Sequence, residues 1–302
     1  MIFSSWLRKP NAKPGTSRRT SSTFRPQLEA LEGRDVPSTL TVTNLNDSGH
    51  GSLRYEIAEA QSGDTIVFAK KLNGGTITLS SGNELQIGKN LTIQGPGAGL
   101  LAVYGGNEFG AQRIFEVGPG AAVALSGLTI DHGGGHASAS GLPDGQLYDG
   151  DGGGVLNRGT LTISGCTLSN NSADSGPDSA TSGGAIYNAG VLTVDGCTLI
   201  NNHANLGGGI YNFGTAMVSG SNVSNNDARA GGGIFNFGTM TVSGCDVSSN
   251  SANGTFGVSA EGGGIYNAGA ASALTVLNSI FSSNTPDNIF GPYTDGGGNA
   301  FH

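Results

Sequence analysis

The chain has 302 residues, with 14 Lys and Arg against 22 Asp and Glu, a net charge of −8 at pH 7, and 54 glycines. So many glycines, each costing about 1 kcal/mol in a helix interior, exclude a helical repeat array, and no stretch approaches the roughly 20 apolar residues of a membrane-spanning helix. Residues 1–40 carry seven basic and three acidic side chains, and the remainder carries seven basic and 19 acidic, so a body of net −12 argues against nucleic acid and anionic lipid as partners.

Residues 1–38 are rich in Arg, Ser and Pro and lack apolar alternation, which assigns them to a disordered leader or export segment outside the fold. Leu28, Glu29, Leu31, Glu32 and Arg34 form an L-E-x-L-E-x-R string. It resembles the leader of exported repeat proteins in bacteria with elaborate envelopes. That resemblance implies export, although a conventional apolar secretory region is missing, because Ser4 and Ser5 interrupt Met1–Leu7.

Residues 39–69 read as a strand, a turn, a short amphipathic helix with Leu53, Ile57 and Ala60 on one face, and a second strand at Gly63–Phe68. A solenoid needs such a cap over its first coil. The string N-D-S-G-H-G-S-L-R at Asn46–Arg54, followed by G-D-T-I-V-F, resembles the opening of bacterial right-handed β-helix surface proteins. Runs at Thr76–Leu79, Leu91–Ile93, Ile114–Val117 and Leu125–Ile130 predict less regular coils.

Residues 152–284 repeat one pattern five times. A G-G-G-I-Y-N-like segment ends at Asn157, Asn188, Asn212, Asn236 and Asn267, and each is followed by a T-V-S-G-C-like strand and an N-N or S-N pair. The spacings of 31, 24, 24 and 31 residues give a 24-residue unit with two seven-residue insertions. Alternating pairs such as Leu161 and Ile163, Leu192 and Val194, or Met240 and Val242 are the period-two signature of strands with one face inward. Three short strands per unit, joined by Gly and Asn turns, predict an all-β fold: a right-handed parallel β-helix, or pectin lyase-like solenoid, over residues 70–302. Cys166, Cys197 and Cys245 share one repeat position with Ser221 and Ser279, which reads as a ladder of buried free thiols acting as small hydrophobes.

After Asn284 no amphipathic helix follows. Ile289, Phe290, Tyr293 and Phe301 are expected to fold over the end as an irregular cap, with Pro286 and Pro292 stopping further strand pairing, and to keep the protein a monomer.

The clean repeats resemble the polymorphic outer membrane protein repeat, on Gly183-Gly184-Ala185-Ile186 and Phe281-Ser282-Ser283-Asn284. The resemblance covers about half the chain. It implies an envelope or surface location and adhesive roles, with a surface glycan or envelope protein as partner.

Candidate functional residues fall in two groups. If Ile and Asn of the G-I-Y-N segment point inward, then Tyr187, Tyr211, Phe235 and Tyr266 form an outward ladder, extended by Phe213 and Phe237 at the following turn, and suited to sugar rings or a protein; the opposite parity makes these rings core. Asp144, Asp149 and Asp151 lie in an oxygen-rich Gly/Asp loop, read either as a solvated loop or as a calcium site; no other cofactor is expected. Asp131, His132 and His136 are a further polar concentration.

Parallel β-helices also carry polysaccharide lyases and glycoside hydrolases, so an enzyme acting on acidic polysaccharide is the alternative to a non-enzymatic adhesive or glycan-binding protein. Against it, residues 150–302 hold only Arg158 and Arg229 as basic side chains, and Gly49-His50-Gly51 belongs to the cap string.

Overall fold

A computed structural model describes residues 37–106, 112–135, 151–173, 181–254, 260–269 and 273–302. The leader expected at 1–38 lies outside them apart from Pro37 and Ser38. Residues 37–302 form one compact unit.

The unit is a parallel β-helix. Among the described residues every strand pairing is parallel, and strands of successive coils stack into sheets of ten, eight, nine and four strands. In the regular region each coil contributes a five-residue strand such as Thr215–Ser219 to the ten-stranded sheet and a three-residue strand such as Asn222–Ser224 to the nine-stranded sheet. A three-residue strand such as Ile234–Asn236 joins the eight-stranded sheet. The fourth sheet, of two-residue strands such as Asp227–Ala228, was not legible in the sequence, because two residues carry no readable alternation. Register steps by 24 residues from Asn188 to Asn212 to Asn236, as the repeat spacing predicts.

Turn chemistry sets the corners. Gly165, Gly196, Gly220 and Gly244, joined by Asn278, take positive φ between the two longer strands of their coils, where a β-branched residue would be strained. The first member of each N-N or S-N pair also turns left-handed, as at Asn170, Asn201, Asn225, Ser249 and Ser283. That turn swings the second member inward. Asn171, Asn202, Asn226, Asn250 and Asn284 then form a buried ladder, each side-chain amide donating to the next Asn Oδ1 at 2.9–3.0 Å. A second ladder, Asn157 to Asn267, runs through the G-I-Y-N segments. The middle glycine of each G-G-G lies where a Cβ would meet the neighbouring coil: 2.6 Å from Gly232 O at Gly208, and 2.7 Å from Gly263 O at Gly232.

The cysteine column is a ladder of buried free thiols within the hydrophobic core, as expected, and it carries hydrogen bonds as well. The backbone N–H of Cys197 donates to Ser221 Oγ at 3.0 Å and that of Cys245 to Ser279 Oγ at 3.1 Å, while Cys166 N–H points at Cys197 Sγ at 3.4 Å. Each hydroxyl or thiol also donates to the carbonyl two residues back. Cys and Ser share this position because both complete this bond. The three thiols are buried and unpaired by disulfide, and burial pushes the Cys245 thiol up.

The cap helix is Leu53–Glu59, with Ser52 Oγ accepting from Tyr55 N–H at its N-terminus. Leu53 and Ile57 seal the core beside Val42 and Ile66. Asp47 is the clamp of the N-D-S-G string: it binds Arg54 at 2.7 Å and accepts from the amides of Ser80 and Ser81 at 3.0 and 2.7 Å. Arg54 in turn donates to the carbonyls of Asn83 and Glu84. Burial alone would raise the Asp47 carboxyl, but Ser80, Arg54 and Ser81 together hold it below the usual range. Lys89 closes the far end of the helix by donating to the carbonyls of Ile57, Ala58 and Ala60.

The C-terminal tail corrects the expectation of an irregular cap. Ile289–Phe290, Thr294–Asp295 and Ala300–Phe301 each pair with the coil before them, so the tail makes one more short coil. Pro286 and Pro292 fall in its corners and leave these pairings intact. Phe290 stacks on Tyr266 and Phe301 on Phe281, at 5.1 and 5.2 Å.

Candidate functional site

Parity in the eight-stranded sheet is as the outward reading requires. Ile186, Ile210, Ile234 and Ile265 are buried with the Asn ladder, and the residues between them face out. In register they make one external row: Gln86, Glu116, Leu156, Tyr187, Tyr211, Phe235, Tyr266 and Phe290.

The row is nonetheless closed to a ligand ring. Centroids of successive rings from Tyr187 to Tyr266 lie 5.0, 5.3 and 4.6 Å apart, with interplanar angles of 11–14°, so each inner ring spends both faces on its neighbours. Tyr187 and Phe235 keep only 9% and 8% of their surface exposed. The expectation of an exposed ladder is therefore corrected for Tyr187 and Phe235, while Tyr211 and Tyr266 are half-buried: coil spacing matches the stacking distance of aromatic rings, and the column packs on itself.

Phe213 and Phe237 differ. They stack at 5.6 Å and 6°, yet stay 54% and 46% exposed. Their amides donate to Asn188 O and Asn212 O, and the equivalent positions in flanking coils, by the same amide bonding, are Arg158, Ala189 and Ala268. Alanine on both sides leaves the outer face of each ring uncovered. Val191 and Met217 are exposed beside them. Around this apolar corner the ten-stranded sheet turns out Thr160, Thr162, Thr193, Thr215, Thr239 and Thr241, in rows one coil apart. The sequence signal for this corner was the X-Gly pair after each ladder Asn, with Arg158, Ala189, Phe213, Phe237 and Ala268 as X; it gave the positions but not their exposure.

At the other end of the external row sits a buried ionic cluster that sequence reading missed. Glu116 faces Arg113 at 3.8 Å and is bound by Arg158. Arg113 is 2% exposed, and its Nε donates to the backbone oxygen of Asp151 at 3.0 Å. Burial lowers the Arg113 guanidinium, against the opposing pull of Glu84, Glu116 and Asp151. The Asp151 carboxylate accepts from Ser182 N–H at 2.7 Å, and burial pushes its pKa up to about 7 despite that bond and Arg113. Tyr211 is raised by burial and by the nearby Asp151 charge.

Of the proposed calcium ligands, Asp151 is thus placed against a backbone amide, and Asp144 and Asp149 lie outside the described residues, as does His136. Asp131 Oδ1 accepts from Ser169 Oγ at 2.8 Å and Asn170 Nδ2 at 2.9 Å, and its Oδ2 lies 2.9 Å from His132 Nδ1. Among the described residues no group of three or more His, Cys, Asp or Glu side chains is placed to hold a metal ion. No helix among them is long and apolar enough to cross a membrane.

No protein-family model matches the chain, and no curated protein does. Among solved structures, pectate lyase Pel9A aligns over 89% of this chain and 69% of its own with a TM-score of 0.57 and 14% identity. The chain has the pectate lyase-like β-helix fold. A pectin methylesterase variant in complex with a hexasaccharide aligns at a TM-score of 0.37 and 12% identity, over 84% of this chain and 80% of its own. At such identity the likeness carries the backbone and no residue roles.

Proposed function

We propose that the chain is a non-enzymatic repeat protein of the cell envelope or surface that binds glycan through the corner of its β-helix. The exposed Phe213–Phe237 pair carries the reading: two ring faces stand open beside Val191, Met217 and rows of threonine hydroxyls, the mixture of apolar faces and hydrogen-bonding groups that sugars require. The leader-like string at Leu28–Arg34 and the repeats' resemblance to surface proteins support export and the envelope location. Retention of the purified protein on immobilised glycan without chain cleavage is the expected result.

A second reading, chemistry on an acidic polysaccharide such as pectin, is favoured by Asp151, a carboxyl titrating near pH 7 beside Arg113 and Tyr211. Incubation with pectin and alginate decides between them: new unsaturated or reducing ends that vanish in Asp151→Asn overturn the non-enzymatic reading.

A further inference from the structure

Resting on that reading, the corner geometry assigns a specific trough and sugar class: we infer that one extended chain of neutral pyranose rings lies across the coil at Ala189, Val191 and Thr193, with one ring stacked on the open face of Phe213. Phe213 and Phe237 are two rungs of an external column whose next rung, Ala189, is missing its ring. The coils on either side of Ala189 stand about 9.6 Å apart, two coil steps, which leaves one ring thickness between the Phe213 face and the coil of Arg158.

A pyranose stacked there has its ring parallel to the phenyl plane. Equatorial linkages then carry the polymer along the strand direction, perpendicular to the solenoid axis. Along that path the residues of one coil are Ala189, Val191, Thr193 and Asp195. Phe213, Thr215 and Met217 stand on one side, and Arg158, Thr160 and Thr162 on the other. Phe213 and Met217 rise above Ala189 and Thr193, making a wall, and the threonines supply hydroxyls that both donate and accept.

Charge selects a neutral sugar. Arg158 is committed to Glu116, while Asp195 closes the far end of the path with an exposed carboxylate. The body beyond residue 40 carries seven basic and 19 acidic residues, so a uronic acid polymer is repelled.

The test uses the full chain with hexasaccharides of β-1,4-glucose, β-1,3-glucose, β-1,4-mannose and β-1,4-N-acetylglucosamine, with oligogalacturonate as the charged control, read by calorimetry. At least one neutral oligomer binds with Kd below about 1 mM, and oligogalacturonate does not. Phe213→Ala weakens that binding about tenfold, the loss of one aromatic stacking contact. Ala189→Phe fills the missing rung with the ring that Phe213 and Phe237 already carry in this column, so it keeps or raises the melting temperature while abolishing the binding that depends on Phe213. Binding lost in Phe213→Ala but untouched in folded Ala189→Phe overturns the trough and leaves the glycan-binding corner standing. No binding of any neutral oligomer to the wild-type chain overturns both, and preferential binding of oligogalacturonate overturns the neutral-sugar assignment.

Discussion

The Asn157–Asn267 ladder makes a strong energetic prediction at its centre. Asn212 is fully buried; its Nδ2 donates to Asn236 Oδ1 at 2.8 Å, Thr239 O at 3.1 Å and Gly214 O at 3.2 Å, and its Oδ1 accepts from Asn188 at 2.7 Å. Asn212→Ala removes all four bonds and strips Asn236 Oδ1 of that donor in a place water cannot reach. A buried polar group left unsatisfied costs about 1–3 kcal/mol, and the cavity adds to it, so the expected loss is about 3 kcal/mol. Asn212→Leu fills the volume but makes none of the bonds, and separates the two contributions. Urea unfolding gives the total. Because each coil touches only its neighbours, hydrogen exchange should quicken in the coils around residues 188–240 and stay slow near the cap. A loss under about 0.5 kcal/mol for both variants would refute the claim that the ladder's hydrogen bonds hold the coils in register.

The inner and outer rings should separate by stability: Phe235→Ala, stacked on both faces, is expected to cost about 3 kcal/mol, whereas Phe213→Ala should leave the melting temperature nearly unchanged. In the cysteine column, Cys197→Ser is expected to be near neutral in denaturant unfolding and Cys197→Val to cost about 1 kcal/mol, since only valine leaves the Cys166 amide without its acceptor. Asp151 has a folded pKa of about 7, raised from 3.8, so the protonated carboxyl favours the fold. That stability is fully present below about pH 4 and is lost as pH rises through about 7; melting curves between pH 4 and 8 should show the decline in wild type, and Asp151→Asn should flatten it.

The sequence by itself determined the coil. The 24-residue period, the inward pairs such as Leu192 and Val194, the Asn that follows each left-handed turn residue and the glycine at each corner are local requirements, and each leaves its mark on one repeat. The cap helix was equally plain from Leu53, Ile57 and Ala60, while the Asp47 clamp on Ser80 and Ser81 joins residues more than 30 apart and had no local sign. The tail misled because proline argues against strand pairing in general, yet Pro286 and Pro292 occupy corners where no ladder bond is needed. Only the tertiary structure decided which aromatic residues are available to a partner. Parity placed both Tyr211 and Phe213 outside the core, but a ring is exposed or covered according to what the neighbouring coils carry at the same register. Tyr187 and Phe235 flank Tyr211 and close its faces; Ala189 flanks Phe213 and leaves one open. Similarly, Arg113 and Glu116 come from one coil and Asp151 and Arg158 from the next, and stacking those two coils is what creates their shared buried charge and the shift of Asp151.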